Sequence, residues 1–111
     1  MKPTVPLAAA VILAAGGSFV VPAHGASNGA TKRIAIRDFA FHARRIVVKP
    51  GTKLVWTNDD SDPHTISSRA AHWSSQALDT GQTFSRVVRR RGTYHYLCTI
   101  HPFMHGTVVV R

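Results

Sequence analysis

Near the C-terminal end, Cys98-Thr99-Ile100-His101-Pro102-Phe103-Met104 holds the chain's single cysteine, a histidine three positions on and a methionine three further. That odd spacing would send Cys98 and His101 to opposite faces of a continuous strand, so thiol, imidazole and thioether converge only if the chain turns after Cys98. Pro102 favours such a turn. The three groups form a soft donor set. One further imidazole from elsewhere would complete a site of two histidines and one cysteine with a weak axial methionine, and that set suits copper better than zinc, for which a thioether is a poor ligand. The competing reading of the same residues is a buried free cysteine, a turn histidine and a packing methionine.

Short strands must position this loop. Ile34 and Ile36 alternate with Arg33, Ala35 and Arg37, and Ile46 and Val48 with Arg45 and Val47, which is the period of half-buried strands. Lys49-Pro50-Gly51-Thr52 has the chemistry of a type II turn, after which Leu54 and Trp56 point one way. Asn58 to Pro63 is rich in turn formers and closes that strand before the short run His64-Thr65-Ile66. Residues 67–80 read as loop, with room for one short helix or strand. Thr83 to Val88 resumes a strand, Arg89-Arg90-Arg91-Gly92 turns the chain, Thr93 to Cys98 alternates again, and Thr107 to Val110 is the last strand. About seven short strands and no helix-length periodic segment predict an all-β, two-sheet antiparallel Greek-key sandwich. Its expected core is Ile34, Ile36, Phe39, Phe41, Ile46, Val48, Leu54, Trp56, Ile66, Phe84, Tyr94, Tyr96, Val108 and Val110.

The 111 residues make room for one domain. Met1-Lys2 gives a positive start, Leu7 to Val21 is apolar and uncharged, and small residues follow at Ala23, Gly25 and Ala26. We read residues 1–25 as a cleaved secretory signal peptide, too short and too rich in Ala and Gly for a transmembrane helix, and 26–111 as the mature domain. Residues 27–31 are a polar lead-in expected to stay mobile. The export signal implies the periplasm. Without the leader, 13 basic residues face five aspartates and no glutamate, a net charge of +8. Such a balance would suggest nucleic acid in a cytosolic protein. An exported chain meets little of it and no nucleic-acid-binding motif is present, so the charge is read as selecting an acidic protein partner. One cysteine in an oxidising compartment cannot close an intramolecular disulfide.

Cys98 to Met104, with Gly92-Thr93-Tyr94-His95-Tyr96 before it and Gly106 to Val110 behind, resembles the ligand loop and last two strands of the cupredoxins. The C-x-x-H-x-x-M spacing is most similar to the amicyanin and plastocyanin-like branch. Upstream, Val47 to Asn58 followed by Pro63-His64-Thr65 resembles the segment in which that family carries its first histidine ligand. The resemblance implies a mononuclear type 1 copper held by His64, Cys98, His101 and Met104, with electrons passing through the edge of His101 amid an apolar patch including Pro63, Pro102 and Phe103. It outweighs the packing alternative. His42, His72, His95 and His105 read as solvated side chains, and His24 would matter only as a mature N-terminal residue. One departure stands out: many cupredoxins carry asparagine after the first histidine, whereas this chain has Thr65 there and Thr99 behind Cys98. The hydroxyl is shorter than an amide, which predicts a looser tie between the two ligand loops.

A site of this composition leaves no open equatorial position for substrate, so it is expected to shuttle one electron rather than act as an enzyme. The expected partners are transient and acidic, a cytochrome or dehydrogenase, with no nucleic acid, no stable membrane insertion and a monomeric state. The alternative is a copper carrier or storage protein of the cell envelope.

Overall fold

The computed structural model describes residues 28–111, so the expected signal peptide and its boundary at residue 25 lie outside the described residues. Nine strands follow in order: β1 (Thr31–Arg37), β2 (Ala40–His42), β3 (Arg45–Val48), β4 (Thr52–Asn58), β5 (Ser67–Ser68), β6 (Trp73–Ser74), β7 (Thr83–Val88), β8 (Gly92–Leu97) and β9 (His105–Val110). They form two sheets, ordered β2-β1-β4-β7 and β3-β9-β8-β5-β6. The two-sheet sandwich is as expected, but the pairing is mixed, since β1 runs parallel to β4 and β3 parallel to β9. Alternation along a strand reveals which face is buried, and it carries no information about the direction of the neighbour.

The inward residues are those the alternation selects. Ile34 and Ile36 of β1, Leu54 and Trp56 of β4, Ile46 of β3 and Val108 and Val110 of β9 are buried, with Phe41 and Tyr96 stacked edge to face between the sheets at 4.7 Å. Three differences from the expected core have physical causes. Phe39 is 39% exposed, because it sits in a left-handed turn (φ 55°) between β1 and β2 rather than on a strand. Phe84 and Tyr94 are half-buried against the core's margin. Trp73 and Leu78, from the segment read as loop, are buried: Trp73 lies on β6 against Trp56 at 5.3 Å, and Leu78 bridges to His64. Two-residue strands are too short to show a period.

The turn at Lys49-Pro50-Gly51-Thr52 forms as predicted, with Gly51 at φ 92° and the Thr52 N–H donating to the Lys49 carbonyl at 3.2 Å. The polar lead-in is tied from Asn28 onward. Its backbone N–H donates to the Gly51 carbonyl at 2.7 Å and its side-chain amide to the Pro50 carbonyl at 2.8 Å, so the expected mobility does not extend past residue 28.

Gly106 is required for closeness. It lies opposite Tyr96 in the β8–β9 register, and a Cβ there would fall 2.2 Å from the tyrosine ring. Tyr96 is itself wedged against Phe41, Trp56 and Trp73 and cannot swing aside. Gly106→Ala should therefore lower unfolding stability by about 1–3 kcal/mol or more in denaturant titration. An unchanged midpoint would show that the ring has room that the packing denies.

Candidate metal centre

The sandwich brings two segments together at one end. His64 follows the loop that leaves β4, and Cys98 and His101 lie on the loop between β8 and β9, closed by Cys98 N–H donating to the Met104 carbonyl (3.1 Å) and Met104 N–H to the His101 carbonyl (2.9 Å). The turn after Cys98 that the spacing demanded is this loop. Among the described residues, His64, Cys98 and His101 form the one cluster of three potential metal-binding side chains, with donor atoms within 4.8 Å of one another. His64 and Cys98 are fully buried, while the His101 side chain is 20% exposed. Met104, on the same loop, is also buried. His95 and His105 lie exposed on β8 and β9, His72 is exposed and His42 half-buried, and none of these joins the cluster. His24 lies outside the described residues.

The donor atoms make a small triangle. The Cys98 Sγ is 3.8 Å from each histidine Nδ1, and the two Nδ1 atoms are 3.2 Å apart. A point equidistant from all three lies about 2.1 Å from each, within the range at which nitrogen and sulfur bind first-row metals. The residues present thus fit a trigonal centre of two nitrogens and one sulfur.

Asp60 was not singled out by sequence, and it organises the first half of the site. Its carboxylate accepts the His64 Nε2–H at 2.8 Å, which leaves the Nδ1 lone pair facing the thiol. The same carboxylate accepts the backbone N–H groups of Asp38 (2.7 Å) and Phe39 (3.0 Å), both in left-handed conformations. Burial pushes the Asp60 carboxyl up, but the Phe39 N–H, the His64 ring and the Asp38 N–H outweigh it and hold its pKa below the ordinary 3.8. In sequence Asp60 is one of three aspartates in a turn-rich run, and nothing local distinguishes the one that faces His64.

Phe39, held by that carboxylate, packs edge-on against His64 (5.5 Å between centroids) and His101 (5.1 Å). Phe103, 67% exposed, also packs against His101, at 6.1 Å.

The loops that carry His64 and Cys98 are joined more firmly than the missing asparagine predicted. The Thr65 hydroxyl accepts the Thr99 N–H at 2.8 Å and shares a second hydrogen bond with the Thr99 hydroxyl at 2.8 Å, while the Thr65 N–H points at the Cys98 sulfur (3.4 Å). Two short side chains meeting halfway span the gap that one amide would cross. Burial pushes the Cys98 thiol up, but the backbone N–H of Thr65, the backbone at His101 and the two imidazoles more than reverse this, and its pKa falls from 9.0 to about 6. In the metal-free protein, thiolate absorbance in the ultraviolet should persist at neutral pH and disappear as pH drops through about 6. A titration midpoint near 9 would mean that the hydrogen bonds do not reach the sulfur.

A two-sheet sandwich with two imidazoles, a thiol and a methionine gathered at one end defines a class, the type 1 copper electron carriers. The chain matches the family model of the cupredoxin-like domain over residues 6–110 and belongs to that family. Within it the chain falls in the amicyanin branch. It is 33% identical over 107 residues to amicyanin-alpha of Methylorubrum extorquens, spanning 92% of this chain and 87% of that one. Identity to amicyanin of Paracoccus denitrificans is 33% over 82 residues, or 69% and 63% of the two chains. Among solved structures, a reduced amicyanin variant superposes with a TM-score of 0.70 at 29% identity over 77% of this chain and 85% of that one. A purple cupredoxin from Nitrosopumilus maritimus gives 0.65 at 31% identity over 71% and 98%.

Proposed function

We propose that this protein carries single electrons in the periplasm on one copper ion held by His64, Cys98, His101 and Met104, the residues 1–25 being removed on export. The observation that carries the reading is the triangle of two imidazole nitrogens and one sulfur with one corner at the surface. When bound, copper supplies a one-electron couple between Cu(I) and Cu(II). The residues do the rest. Asp60 fixes the tautomer of His64, the loop hydrogen bonds hold Cys98 against Thr65, and the Phe39 ring packs edge-on against both imidazoles. His64 and Cys98 are sealed off, so it is the His101 edge that meets a partner. Burial of these two donors leaves a substrate no approach to them, which favours a carrier over an enzyme.

The exposed faces of Phe39, Phe103 and Ile100 beside that edge suit brief apolar docking. Arg44, which lines a shallow groove with Phe39 and Phe103, suits an acidic rim on a cytochrome or dehydrogenase. The visible spectrum of the copper-loaded protein tests the reading. An intense thiolate-to-Cu(II) band with slow loss of metal to a chelator is expected. A colourless complex, or rapid release of copper, would instead indicate a copper carrier or store.

A further inference from the structure

The acidic side chains of this domain gather at one end. All five acidic side chains lie around the ligand end: Asp60 caps the turn at Asp38, Asp59 N–H donates to the Ile36 carbonyl, Asp62 stands 3.9 Å from His101, and Asp79 follows Leu78, which bridges to His64. The opposite end carries no acidic side chain among the described residues. There the Arg89-Arg90-Arg91 turn meets the Lys49 turn, because the Gly51 N–H donates to the Val88 carbonyl and Thr52 pairs with Val88. Arg111 joins them through its N–H to the Val48 carbonyl, and Lys53 lies one residue along β4. These six cationic side chains are exposed.

We propose that this basic pole binds the anionic phospholipid headgroups of a membrane surface and holds the protein with its ligand end turned outward. One observation favours headgroups over an acidic redox partner. The pole is separated from the ligand loop by the length of β8, about 20 Å at 3.3 Å per residue, too far for a redox partner seated there to exchange electrons well. Three consecutive arginines at a turn offer planar, forked donors suited to phosphate oxygens. Each Lys or Arg near an anionic bilayer strengthens binding roughly fivefold, and the attraction fades with salt.

Co-sedimentation of the protein purified from the cell envelope with lipid vesicles tests this. Phosphatidylcholine vesicles with about one-quarter phosphatidylglycerol should carry it down at low salt, and Arg89→Gln/Arg90→Gln/Arg91→Gln should weaken binding roughly 100-fold. Lys49→Gln/Lys53→Gln, on the neighbouring turn, should weaken it roughly 25-fold and reads the same pole should the triple variant fold poorly by circular dichroism. A neutral, soluble oxidant should reach the bound and the free protein at equal rates. Sedimentation reads the protein whether or not copper is present, so it stands apart from the electron-carrier reading. Equal binding to pure phosphatidylcholine, variants that bind as well as the parent, an oxidation rate that falls on binding, or capture by polyglutamate but not by vesicles would each overturn the proposal.

Discussion

Cys98→Ser should abolish the intense visible colour of the copper-loaded protein, while His42→Ala and His72→Ala leave it intact. The colour of a type 1 centre needs a covalent bond from metal to thiolate, and Cys98 is the chain's only thiol. Its surroundings are built for the anion: the Thr65 N–H faces the sulfur and the pKa is brought down to about 6. A serine hydroxyl stays protonated there and is a hard donor in a soft set. The substitution is nearly isosteric in a fully buried position, so near-ultraviolet circular dichroism from Trp56 and Trp73 should change little, separating loss of the site from loss of the fold. Retention of the intense band in the serine protein would end the copper–thiolate assignment.

The second large effect is expected at Asp60. Truncation by Asp60→Ala leaves the Nε2–H of a fully buried histidine and two backbone N–H groups in left-handed turns without their shared acceptor. Charge-assisted hydrogen bonds of this kind contribute about 1.5–3 kcal/mol each but overlap on one carboxylate, and a loss of about 3 kcal/mol in unfolding free energy is expected. Metal affinity should drop about 10–100-fold as His64 loses its orientation. Asp60→Asn keeps the shape and part of the acceptor set, so it should unfold later than the alanine protein yet still bind metal weakly. The pH dependence has a definite sign. A carboxyl whose folded pKa lies below 3.8 contributes stability that is fully present above that value and is lost as pH falls through the lower, folded pKa. The gap between parent and Asp60→Asn should therefore be widest at neutral pH and close in strong acid. Denaturant titrations across that range, with copper competition against a chelator, would reveal a gap that fails to close and so remove the carboxylate from the account.

What could be read from sequence, and what could not, follows from the range of the interactions. Cys98, His101 and Met104 announce themselves because their donors sit on one loop, within a few residues of each other. His64 carries no local mark beyond Pro63 and is assigned by the resemblance. The strands with four or more residues showed their buried face by alternation, whereas β5 and β6 were too short to do so and hid Trp73. Phe39 looked like core because it is aromatic and follows Ile36. Only the carboxylate of Asp60, 21 residues away, turns it over the histidines. The expectation of loosely tied ligand loops failed for a related reason: it weighed Thr65 against an asparagine in isolation, whereas Thr99, 34 residues on, supplies the missing reach. The gathering of the acidic side chains at one end was equally invisible, since net charge says how much and never where.

The parallel pairing of β3 with β9 sets an order of events. The loop from Cys98 to Met104 closes the hairpin of β8 and β9, and β9 lies on its other side along β3, whose residues come about 60 positions earlier, as in the pairing of Ile46 with Val108. Contacts so distant in sequence close late. A nascent or partly folded chain therefore has its thiol and imidazoles but no triangle to hold a metal, and it offers only weak, scattered donors to copper met along the way. Cys98 and His101 come together with the β8–β9 hairpin, and the triangle is complete only when His64, 34 residues before Cys98, has joined them.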